Sequence, residues 1–81
     1  MVSEYLRFER RASASGLTVI ADIWSARHGD KLGEIRWMGR WRQYAFYPAT
    51  GTIWNPACMV AVSEQIRLLM AERSAPAGTA D

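Results

Sequence analysis

Residues 32–48 read LGEIRWMGRWRQYAFYP, and the fold turns on how this stretch pairs with itself. Apolar and charged residues alternate on either side of Gly39, the period-two pattern of strands, and Pro48, which has no N–H to give a ladder, closes the second run. The spacing predicts two antiparallel strands, 32–37 and 41–48, joined near Gly39. A three-residue loop, Met38 to Arg40, would set Arg36 against Arg42, a like-charge pair that costs energy. A two- or four-residue loop instead pairs Ile35 with Tyr44 and Trp37 with Arg42. One face then collects Ile35, Trp37, Tyr44 and Phe46, the side expected to join a core. The opposite face carries Glu34, Arg36, Met38, Trp41, Gln43, Ala45 and Tyr47.

Outward from this hairpin, EYLRFE (4–9) suits a short edge strand and ASASG (12–16) a small-residue turn. TVIADIWSA (18–26) is rich in β-branched and aromatic residues, and RHGDK (27–31) has the glycine and aspartate of a tight turn. One helix is announced on the other side. Asn55 offers an N-cap and Pro56 sits at the first helical position, where a missing N–H costs nothing. Met59, Val62, Ile66 and Leu69 then fall at helical spacing, with Cys58, Ala61, Leu68 and Met70 widening the stripe. Ser63, Glu64, Arg67 and Glu72 fill the solvent side. The helix is expected to end near Arg73, because SAPAGTAD is a small-residue stretch with nothing to bury. The fold class is therefore α+β: a four-stranded, mainly antiparallel sheet with one C-terminal helix on one face, β-β-β-β-α. Residues 1–73 form a single domain, and 74–81 are expected to be a disordered tail.

A chain of 81 residues allows one domain with a small core. Cys58 is its only cysteine, so an intramolecular disulfide is impossible and a cysteine-based zinc site lacks ligands. That usage reads as a reduced, cytosolic protein. The net charge is +2, mildly basic rather than polycationic, and nine of the ten basic residues are arginine. The N-terminal residues lack the hydrophobic core of a signal peptide, and no apolar stretch approaches membrane-spanning length. The expected place is the cytosol, with no membrane partner. One helix covers one face of a sheet, so the far face, with Met38, Trp41, Tyr47 and Trp24, is expected to expose an apolar patch. Such patches mark interfaces, and this one predicts a homodimer.

No catalytic constellation is visible, and no metal or cofactor is implied. His28 has only Asp30 nearby and reads as a turn residue rather than a general base. Cys58 falls in the first helical turn, among apolar neighbours, and reads as a packing residue. ATGT (49–52) precedes a helix start but lacks the glycine spacing and lysine of a phosphate-binding loop. What remains is a candidate binding set of Arg36, Met38, Arg40, Trp41, Arg42, Gln43 and Tyr47. Arginine and tryptophan dominate protein–protein hot spots, and the same residues on a sheet can stack bases and meet phosphate.

The run LGEIRWMGRWRQYAFYPATGTIWNPAC, followed by an amphipathic helix, resembles a group of small phage- and prophage-encoded proteins. They share a G-x-I/V-R/K-W-x-G-x-W-R-Q-Y-x-F-x-P core and a cysteine at the helix start. Gly33, Trp37, Gly39, Trp41, Arg42, Gln43, Tyr44, Phe46, Pro48 and Cys58 carry the match, which covers residues 32 to about 70. The resemblance implies a non-enzymatic accessory protein of a mobile element, of the kind that inhibits host machinery such as CRISPR-type defence complexes. It brings no catalytic residues with it. The partner expected first is thus a host protein complex, then nucleic acid bound through the Arg/aromatic face, then a small nucleotide signal held as by a sponge.

Overall fold

The computed structural model describes residues 5–74. Within them the chain runs β1 (Leu6–Ala12), β2 (Val19–Ser25), β3 (Lys31–Met38), β4 (Gln43–Pro48) and α1 (Pro56–Ser74). Neighbouring strands pair antiparallel in the order β1-β2-β3-β4, so the sheet is a meander followed by one helix, the α+β architecture read from the sequence. The tail expected over 74–81 lies, from residue 75 onward, outside the described residues.

Alternation along each strand decides the faces. The helix-side face gathers Leu6, Ala21, Ile23, Ile35 and Tyr44, which meet Cys58, Val62 and Leu69 of α1 in a small buried core. Rings close its flank: Trp37 meets Tyr44 edge-on at 5.4 Å, and Phe46 meets Trp54 likewise at 4.7 Å. Beyond the strands, Ala49 N–H still donates to Leu32 O, and Thr52 links back to Ala49 O, so the connection into α1 is itself tied down. The helix starts where its chemistry says it should: Asn55 Oδ1 accepts the N–H of Cys58 at 2.8 Å, with Pro56 following the cap. Val62 and Leu69 are buried as the spacing predicts, with Cys58 rather than the exposed Met59 opening the stripe. A cap at Asn55 orients Cys58 inward, and a stripe begun there continues at i+4 through Val62.

The β3–β4 hairpin differs from expectation by two residues. Ile35 pairs with Phe46, Trp37 with Tyr44 and Met38 with Gln43, so residues 39–42 form a four-residue loop. Because the slip is even, the faces survive: Ile35, Trp37, Tyr44 and Phe46 still share one side. Trp41 and Arg42 leave the strand for the turn, where Trp41 N–H donates to Met38 O and Arg42 N–H to Gly39 O, both at 3.2 Å. β1 also runs further than its expected end, through Arg10 to Ala12, because each added arginine finds a carboxylate. Arg10 reaches Glu72 of α1 at 2.5 Å and Arg11 reaches Asp22 of β2 at 2.7 Å.

At the other end of β3 the pairing shifts between Ile23 and Trp24, leaving Leu32 as an extra residue. Such a bulge re-aims side chains. Leu32 packs against the core, and Lys31 returns to the far face. Gly33 beside it is required by contact rather than by dihedral: a Cβ there would lie 2.7 Å from the Tyr47 carbonyl oxygen and 3.1 Å from Pro48 Cα. Gly33→Ala therefore pushes β4 away and is expected to cost about 1–3 kcal/mol, whereas Gly39→Ala, with only Trp37 Nε1 at 3.9 Å, stays close to wild type. Urea titration of the two variants checks this. Equal stabilities would refute the close approach.

Candidate functional site

The far face of the sheet is a ladder of charge. β1 contributes Arg7, Glu9 and Arg11, β2 contributes Asp22, and β3 contributes Lys31, Glu34 and Arg36. Registration sets Glu9 opposite Asp22 and Asp22 opposite Glu34, a row of three carboxylates that requires cations on both sides. Asp22, at 8 % exposure on a central strand, is the buried member. Arg11 donates to it from Nε at 2.7 Å and Nη2 at 3.2 Å, and Lys31 Nζ lies 2.9 Å from Oδ1. Lys31 also reaches Glu34 at 2.6 Å, Arg36 pairs with Glu34 at 3.7 Å, and Arg7 pairs with Glu9 at 3.2 Å.

Charge on one side of this contact holds the charge on the other. The Arg11 guanidinium, above all by its hydrogen bond, and then Lys31 keep the Asp22 carboxyl below its ordinary 3.8 against the opposing effect of burial. The Lys31 ammonium is raised, first by Glu34 and then by Asp22, and Arg11 is raised by Asp22. An unfolded Asp22 takes up a proton more readily than the folded one. Its contribution to stability is thus present at neutral pH and is lost as the pH falls from about 5 through its ordinary value to the lower folded one.

This ladder corrects the expectation of an apolar far face. Trp24 does point to that side, but its ring is half-buried with the Arg7 guanidinium 5.7 Å above it. Its Nε1–H is buried and has no hydrogen-bond partner among the described residues. Tyr47 stands at 37 % exposure with Arg36 5.7 Å away, and Trp41 is not on the face at all. The apolar patch from which a homodimer was expected is therefore replaced by paired charges. Apart from Tyr47, the exposed large apolar residues among those described lie elsewhere, Leu17, Trp41, Ile53, Met59 and Val60 among them.

The seven candidate binding residues separate into two groups. Arg36 and Tyr47 sit within the ladder. Met38 and Gln43 form the last strand pair, and Arg40, Trp41 and Arg42 form the tip beyond it. Trp41 is 61 % exposed. Arg42 holds φ at +55°, the left-handed region in which a Cβ is strained and glycine is the natural occupant. All ten lysine and arginine residues lie within the described chain. Eight face a carboxylate or a ring: Arg7, Arg10, Arg11, Arg27, Lys31, Arg36, Arg67 and Arg73. The other two, Arg40 and Arg42, have no such partner among the described residues, and Trp41 lies between them.

His28 lies in the β2–β3 turn, its N–H donating to Ser25 Oγ, and Cys58 is buried in the core, both as the sequence reads them. Among the described residues, no three histidine, cysteine, aspartate or glutamate side chains converge as metal ligands would. Nor is any described helix long and apolar enough to cross a membrane. The ladder itself escaped the sequence reading. A signal was present in the i, i+2 spacing of Arg7, Glu9 and Arg11, which puts all three on one side of a strand.

No protein-family model and no solved structure matches the chain. It is similar to a phage protein. The relative, described as an uncharacterized 9.3 kDa protein of Acholeplasma phage L2, is 28% identical over 71 residues, covering 88% of this chain and 91% of its own. The likeness thus spans the strands and the helix together and joins two chains of nearly equal size.

The ladder makes a pH-dependent prediction. Wild-type protein is expected to lose stability steadily below about pH 5, and Asp22→Asn, already less stable at pH 7, is expected to lose less over the same range. Denaturant midpoints across pH measure both slopes. Parallel curves would mean that Asp22 is not held in its charged form.

Proposed function

We propose that this chain is a non-enzymatic phage accessory protein that acts by binding, and that the Arg40–Trp41–Arg42 tip grips an anionic site on a host protein complex. The observation that carries the reading is the tip itself: an exposed tryptophan between two arginines that face no carboxylate or ring among the described residues, one of them in a strained backbone conformation. Strain of this kind costs of order 1 kcal/mol and is retained where the side chain is needed. A tryptophan flanked by arginines has the composition of a binding hot spot, with an apolar ring to desolvate and cations to match carboxylates. The four-residue turn, closed by two backbone hydrogen bonds, carries the three side chains beyond the sheet. Similarity to a phage protein along nearly the whole chain supports a mobile-element role. Inhibition of a defence complex is the form of that role the resemblance favours.

The strained arginine gives a test that separates function from folding. Arg42→Gly relieves the left-handed strain and is expected to leave stability unchanged or raise it by up to about 1 kcal/mol. Retention of a stoichiometric protein from nuclease-treated host lysate is expected to fall at least tenfold, as it does for Trp41→Ala. Wild-type protein that retains nothing, or variants that retain as much as wild type, would overturn the reading. Capture abolished by nuclease would reassign the tip to nucleic acid.

A further inference from the structure

A second site lies away from the tip, between the β1–β2 loop and the last turns of α1. Leu17, Thr18 and Val19 form one wall of a cleft of about 290 Å³, Leu69, Glu72 and Arg73 form the other, and Tyr44 lines it from β4. Its polar groups are unevenly satisfied. Tyr44 is 4 % exposed, and its hydroxyl oxygen accepts the Val19 N–H at 3.2 Å, which fixes the hydroxyl at the β2 end of the cleft. The hydroxyl proton has no acceptor among the described residues. Glu72 is neutralised by Arg10 at 2.5 Å. Arg73 stacks on Trp37, its guanidinium carbon 3.9 Å from the ring centroid, and faces no carboxylate among the described residues. A stacked guanidinium spends its face on the ring and keeps its N–H edge for a planar anion. The remaining wall is apolar: Val19, Leu69 and Leu17, the last 82 % exposed although it is a leucine in a turn.

We propose that this cleft binds a small carboxylic acid with an apolar body. The carboxylate takes the Arg73 N–H edge and the Tyr44 hydroxyl proton, and the body lies against Leu17, Val19 and Leu69. Size sets the class. At ~30 Å³ for each water-sized unit, the cleft holds about ten non-hydrogen atoms, the scale of an aryl or medium-chain acid. Neither the tip nor the charged ladder takes part, so the site stands independently of the partner proposed above.

The probe is hydrocinnamate, titrated into the full chain at pH 7 and followed by amide NMR, with hydrocinnamyl alcohol as the uncharged control. Saturable shifts confined to residues 17–19, 44 and 69–73 are expected, with the alcohol at least roughly tenfold weaker, since a hydrogen bond to a charged group is lost. Arg73→Gln and Tyr44→Phe are each expected to weaken the acid by roughly tenfold or more and to leave the alcohol unchanged. Arg73→Gln sits on the rim and keeps the fold, so it decides the matter should Tyr44→Phe unfold. No saturable shift up to about 10 mM, equal binding of acid and alcohol, or an Arg73→Gln variant that binds as wild type would each overturn the proposal.

Discussion

The described helix covers one face of the sheet, and the character of this chain follows from how the other face is closed. A second helix would have buried it. Here the closure is electrostatic, centred on Asp22, a carboxylate on a central strand at 8 % exposure, held by Arg11 from one neighbouring strand and Lys31 from the other. A carboxylate so placed is tolerated only when its oxygens are fully engaged. Lys31 can engage it because the Leu32 bulge turns an alternation that would have sent the lysine elsewhere. Bulge, carboxylate and the extension of β1 through Arg11 are thus one arrangement.

That arrangement also decides where the surplus charge goes. Eight of the ten cations meet a carboxylate or a ring among the described residues, and Arg40 and Arg42 at the hairpin tip do not. Arg40 and Arg42 are exposed on either side of Trp41, on a four-residue turn closed by two backbone hydrogen bonds. The sheet is in this sense a support that keeps its own charges occupied and presents a short cationic, aromatic point. A phage protein of nearly the same length shares similarity along almost the whole of it.

Much of this was legible in the sequence and some was not, for identifiable reasons. Strand identity and the faces of β3 and β4 follow from period-two alternation, which is insensitive to an even slip. The slip itself depends on the loop conformation of Gly39–Arg42, and an arginine in a left-handed conformation leaves no mark that a glycine or asparagine would leave. The helix start was written in Asn55 and Pro56 and its inward face in Val62, Ile66 and Leu69, while Met59 was given the place that the smaller Cys58 takes. The candidate residues Arg40, Trp41 and Arg42 lie at the hairpin tip rather than on the strand face where the sequence placed them. The ladder was hidden because the bonds that hold Asp22 join residues on different strands: Arg11 to Asp22 is eleven positions apart, and single-strand patterns report only neighbours. The cleft was hidden for the same reason, since Tyr44, Leu17 and Arg73 meet only in three dimensions.

The arginines of the sheet face are held while those of the tip face no carboxylate or ring among the described residues, and side-chain NMR of the guanidinium groups measures the difference directly. Arg11 Nε–H is expected to exchange slowly and to give a resolved, hydrogen-bonded resonance, with Arg40 and Arg42 averaged to the values of a solvated guanidinium. An Arg11 as mobile as the two tip residues would contradict the electrostatic closure of the face. An Arg40 or Arg42 held as rigidly as Arg11 would contradict the open tip.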